Sequence, residues 1–101
     1  MTRGTTPTLT FELPFEADRL AKLNIAFSQD DAVVLEKGLA DCTTSDVTVK
    51  VELSEADTLQ LKQNGSNLYI QLRCKLTDGR CIASDIMTAT VGRILKDGAL
   101  A

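Results

Sequence analysis

The chain predicts an all-β, mainly antiparallel fold: a two-sheet β-sandwich of about seven strands with one short helix in a crossover. Three observations predict it. Apolar and polar residues alternate with a period of two around Thr8–Leu13, Leu23–Ser28, Val47–Leu53 and Leu68–Leu76, which sorts each stretch into an inner and an outer face. Turn and breaker residues (Pro14, Asp30-Asp31, Asp78-Gly79) separate these stretches at short, regular spacing. There is room for only one short helix, opened at Ser54, so a doubly wound α/β fold is excluded and a small barrel is the alternative closure.

Residues 1–7 are polar, end in Pro7 and read as an N-terminal arm; 8–96 form a single domain and 97–101 a tail. In Thr8–Leu13, Leu9, Phe11 and Leu13 face inward, and Pro14 ends the strand by removing a ladder donor. Phe15–Ala21 is a connection with room for a helical turn, Asp18 being a candidate cap. The next strand points Leu23, Ile25 and Phe27 inward, and Gln29-Asp30-Asp31 reads as a turn. Val33–Lys37 returns as a strand whose face is ambiguous, because Val33, Val34 and Leu35 are all apolar. Gly38–Asp46 reads as a polar loop with Leu39 tucked down.

Val47, Val49, Val51 and Leu53 form the cleanest inward row. Ser54 with Asp57 three residues on resembles a capping box, opening about two helical turns with Leu59 inward and Gly65 as the stop. Leu68–Met87 reads as a hairpin about Asp78-Gly79, with Ile70, Leu72, Cys74 and Leu76 inward. Thr88–Leu95 supplies the last strand, with Val91 in the core and Gly92 at a bulge.

The 101 residues suffice for one core with little surplus. A net charge of −3 gives neither nucleic acid nor an anionic membrane an electrostatic reason to bind. No apolar run is long enough to span a bilayer, and no apolar segment follows Arg3 as in a secretory leader, so synthesis in the cytoplasm is expected. The three cysteines, Cys42, Cys74 and Cys81, do not suggest a disulfide framework. A two-residue turn would pair Leu76 with Cys81 and Cys74 with Ala83, placing both thiols on the core side as small hydrophobes.

Catalytic chemistry is hard to assemble from these residues. There is no histidine, hence no Ser-His or Cys-His pair and no imidazole ligand, and the glycines are too scattered for a phosphate loop. One tyrosine and three phenylalanines offer no aromatic platform. Asp30 and Asp31 come nearest to a metal site, a weak Ca²⁺ candidate without the spaced ligands of an EF-hand loop, and a solvated hairpin tip is the preferred reading. Glu52, Glu55 and Asp57 read as acidic residues complementing a helix N-terminus. Gln71, Arg73 and Lys75 line the outer face of one strand, either as a solvated row or as an interaction face with Tyr69 as anchor. The expectation is therefore no enzyme and no cofactor.

The order of features resembles a known group. A polar arm, Thr2-Arg3-Gly4-Thr5-Thr6-Pro7, leads into a Leu13-Pro14-Phe15 corner; Phe27-Ser28-Gln29 and Leu35-Glu36-Lys37 follow. Next come Val49-x-Val51-x-Leu53, a helix with Ser54, Thr58 and Leu59, then Gln71-Leu72-Arg73, Asp78-Gly79 and Ala83-Ser84. Over nearly its whole length the chain is similar to small proteins encoded among prophage structural genes of Gram-positive bacteria. Its strand order resembles the N-terminal β-sandwich of phage upper baseplate proteins, which docks to the tail. The long receptor-carrying extension of that family is missing, which implies a stand-alone virion, adaptor or assembly protein.

Two functions are expected on this basis. The first is a non-enzymatic phage or prophage structural module that docks to other virion proteins or to copies of itself, with Arg3, Thr5, Tyr69, Gln71 and Arg73 as contact candidates. The second is a sandwich that binds a small ligand or carbohydrate, with calcium at Asp30-Asp31.

Overall fold

The computed structural model describes residues 1–62, 67–92 and 98. Two antiparallel sheets stack over one core. The smaller sheet has the order β1-β5-β4, from Thr8–Glu12, Thr48–Glu52 and Cys42–Ser45. The larger has the order β3-β2-β6-β7, from Ala32–Gly38, Leu20–Gln29, Leu68–Leu76 and Cys81–Ala83, and β8 (Met87–Ala89) also pairs with β6. β7 takes the Arg73–Lys75 half of β6 and β8 the Leu68–Ile70 half, so together they make one broken edge strand. This is the two-sheet sandwich that the alternation predicts, with the helix α1 (Glu55–Leu59) crossing from β5 to β6.

The inner rows behave as patterned. Ile25, Phe27, Val49, Val51, Leu53 and Leu68 are fully buried, and each contributes roughly 1.5–3 kcal/mol by leaving water. Two bulges refine the pattern. Ala21 is the extra residue where β2 shifts register against β6, which lets both Leu20 and Leu23 face the core. Val34 is the extra residue where Phe27 pairs with Leu35 but Ser28 pairs with Val33, which decides the ambiguous face: Leu35 is buried and Val33 is exposed.

Several expectations are corrected. The stretch read as the loop Gly38–Asp46 contains a 3-10 turn at Leu39–Asp41 and an edge strand, β4. Val47 belongs to the β4–β5 turn beside Asp46 (φ 50°) and is 36% exposed, so β5 begins at Thr48. The Ser54–Asp57 capping box forms as expected, with Ser54 Oγ accepting from Asp57 N at 3.0 Å and Asp57 Oδ2 from Ser54 N at 2.9 Å. The helix is shorter than two turns, and Thr58 and Leu61 fill the core where Leu59 was expected. Gly65, and the strand residues expected beyond Gly92, lie outside the described residues. Gly92 itself is a close approach rather than a bulge: it bridges Thr2, and a Cβ there would stand 2.9 Å from Thr2 Oγ1.

The β6–β7 hairpin adopts a different register from the two-residue turn. Leu76 N donates to Arg80 O at 2.8 Å and Gly79, at φ +92°, donates to Leu76 O at 2.9 Å, which makes Thr77-Asp78-Gly79 a three-residue loop. Asp78 favours it by accepting from Arg80 N at 3.0 Å and Arg80 Nε at 2.9 Å. Cys81 now pairs with Lys75 and Ile82 with Cys74. One residue of slip exchanges the faces, so Cys81 is exposed on the outer side and Ile82 takes the inner position.

Candidate functional site

The sequence-predicted contact residues occupy two places. Residues 1–7 fold back onto α1. Arg3 donates from Nε to Leu61 O at 2.6 Å and from Nη2 to Leu59 O at 2.9 Å, satisfying carbonyls at the helix end. Thr5 N donates to Thr58 Oγ1 at 3.1 Å, and the Thr58 hydroxyl donates to Thr5 O at 2.8 Å. Arg3 and Thr5 therefore anchor the arm to its own fold.

Tyr69, Gln71 and Arg73 stand on the outer face of β6. Gln71 Nε2 donates to Ser84 O at 3.0 Å, bridging β6 to the break between β7 and β8. Tyr69 (40% exposed) joins Val33 (57%) and Ile86 (62%) around a shallow apolar depression. Asp30 and Asp31 form the two-residue β2–β3 turn, both at positive φ (52° and 62°), and Asp30 Oδ2 is 3.4 Å from Lys62 Nζ. A cation already at that carboxylate opposes a second one. Among the described residues no three His, Cys, Asp or Glu side chains gather as metal ligands, and no helix is long and apolar enough to cross a membrane.

A second cleft is one the sequence reading missed. It is an apolar groove of about 330 Å³ between the sheets, on the side where β1 of the small sheet meets β7 and β8 of the large one. Phe11, Leu13 and Phe15 form one wall, Leu72, Ile82 and Met87 the other. Its cause is a mismatch in width. Among the described residues the large sheet is four strands across, counting β7 and β8 as one, and the small sheet is three. Among the described residues nothing covers the inner face of the outermost strand: Ile82 points inward beside Cys74 yet is 38% exposed, and Leu9, Phe11 and Leu13 are only half-buried.

The edge of β1 away from β5, which no other described strand pairs, runs along this groove. Leu53 N donates to Pro7 O at 2.9 Å and Leu13 N to Val47 O at 2.7 Å. Antiparallel ladders alternate, so Leu9 and Phe11 exchange bonds with Val51 and Val49, while Thr8, Thr10 and Glu12 turn their N–H and C=O groups away from β5. At one end the seam is closed by the arm: Arg3 N donates to Gly92 O at 3.3 Å and Gly92 N to Met1 O at 2.6 Å.

The polar groups at the groove are already committed. Ser84 Oγ accepts from Leu72 N at 3.0 Å and donates to Asp85 O at 2.9 Å, standing in for a ladder bond at the strand break. Cys74, at the groove floor, has its thiol pushed up by burial and further by the neighbouring Cys81, against a lowering hydrogen bond from the Ile82 backbone. What the arrangement offers chemically is apolar surface beside a sheet edge that no other described strand fills. Comparisons with family models, with curated proteins and with solved structures each found no match.

Proposed function

We propose that this chain is a non-enzymatic structural or adaptor module of a phage or prophage virion that acts by docking to a neighbouring protein. The observation that carries the docking part is the inter-sheet groove, whose apolar side chains no described residue covers. The exposed Val33, Tyr69 and Ile86 supply a further apolar surface on the outer face of the large sheet. The virion context rests on the resemblance alone.

The test is co-expression with the products of the flanking genes, followed by the mass of each complex in solution. A stable complex with a capsid, neck or tail protein supports the reading. A strictly monomeric chain that joins none of them overturns it.

The same groove favours one second reading, a small apolar ligand. That ligand would raise the melting temperature of the isolated chain by mass action. The calcium form of the reading predicts the same rise at millimolar calcium, against the Asp30–Lys62 ion pair.

A further inference from the structure

We propose that the groove receives a single extended segment of another polypeptide, which adds to the free edge of β1 as the fourth strand of the small sheet. This rests on the docking reading above and names the partner's chemistry. Among the described residues the width mismatch is one strand, so one strand completes the lid over Ile82 and Met87. Thr8, Thr10 and Glu12 supply the outward backbone donors and acceptors for the new ladder. Side chains of the added strand alternate, so every second residue faces the groove and must be apolar.

A second copy of this chain does not fit by the same edge. Antiparallel β1–β1 pairing has its dyad perpendicular to the sheet, which puts both large sheets on one side. Each large sheet overhangs its small sheet by the β7–β8 strip, so the two strips would occupy the same space. The occupant is an arm or linker with a bare far edge.

Charge narrows it further. Glu12 lines the groove, Asp85 adjoins its rim at Ser84, and neither takes part in an ion pair among the described residues. A Lys or Arg flanking the apolar positions is complementary to both.

The experiment selects peptides from a random display library on the full chain, then measures the selected synthetic peptides against variants. Expected are sequences with alternating apolar residues and a flanking base. Thr10→Pro removes a donor from the free edge while sparing the bonds to β5, and Ile82→Glu places a charge in the groove; each weakens binding about tenfold or more. Thr44→Pro, on the edge of the small sheet opposite β1, leaves it unchanged. Hydrogen exchange checks that every variant folds.

Three outcomes overturn the proposal. Peptides that bind T10P and I82E as tightly as the parent would do so, as would amides of Thr10 and Glu12 already protected in the free chain, which would put a segment of this chain on the edge. The third is a complex with a flanking-gene product that survives T10P and I82E but is lost in Val33→Glu; there the docking reading stands and this deepening of it falls.

Discussion

Gln29 is fully buried and its amide pairs with both backbone groups of Lys62: Nε2 donates to Lys62 O at 2.9 Å, and Oε1 accepts from Lys62 N at 2.7 Å. The side chain thus acts as one more ladder partner for Lys62, which pairs with no described strand. It ties the end of β2 to the chain leaving α1, next to the buried Leu61.

Gln29→Leu keeps the volume and removes both bonds. With two backbone groups stranded at a partly buried site, the expected loss is ~2–3 kcal/mol of unfolding free energy, read from urea denaturation. Exchange of the Lys62 amide should accelerate in parallel. A loss under about 0.5 kcal/mol would mean that water replaces the glutamine.

Asp57 joins two elements. Its Oδ2 lies 2.8 Å from Lys37 Nζ at the end of β3 and also caps Ser54 N, with side chains only 13% and 17% exposed for Asp57 and Lys37. Burial pulls the carboxyl pKa up, but hydrogen bonds from Lys37 and Ser54 outweigh it and hold it below the ordinary carboxylate range. A depressed folded-state pKa means that the contribution is complete above the unfolded value. It is lost as pH falls through the folded one, below about pH 4. Asp57→Ala should cost ~2 kcal/mol at pH 7 and progressively less as the pH is lowered below about 4, by denaturation at a series of pH values. An equal cost across the series would assign the effect to packing alone.

How much of this was legible in the sequence follows from where each strand sits. β2, β5 and β6 have a core on one face and solvent on the other, so their alternation is written in Ile25 and Phe27, Val49 and Val51, Ile70 and Leu72. β4 is an edge strand of Thr43, Thr44 and Ser45 that buries little, and polar residues with nothing to alternate against read as loop. Gln29 looked like turn chemistry because its partner is a distant backbone, Lys62, which no local pattern encodes. The groove was hidden for a related reason: it arises from a count of strands in each sheet, a property of the sheet order that no single stretch carries.

The β2–β3 turn holds Asp30 and Asp31 at φ 52° and 62°, a conformation that asks for glycine at its second position. Asp31→Gly should relieve the Cβ crowding and raise stability by ~0.5–1 kcal/mol, measured as a higher urea midpoint. Asp30 is left in place for its contact with Lys62. A fall in the midpoint would show that the aspartate side chain contributes more than the backbone strain costs.

The hairpin register makes a chemical prediction that the alternative register reverses. With Thr77-Asp78-Gly79 as the loop, Cys81 lies exposed opposite Lys75, while Cys42 and Cys74 are half-buried. Burial raises the pKa of both, helped by Asp41 at Cys42 and by Cys81 at Cys74, so less of each is thiolate at mildly alkaline pH. A disulfide-exchange reagent such as DTNB should therefore label one thiol of the native chain quickly and the other two only slowly or after unfolding. Peptide mapping should put the fast label on Cys81. In the two-residue-turn register Cys81 would pair with Leu76 and face inward, and no thiol would react fast. Gly79→Ala probes the same loop from the backbone side: at φ +92° it should cost ~1 kcal/mol without exposing either slow cysteine.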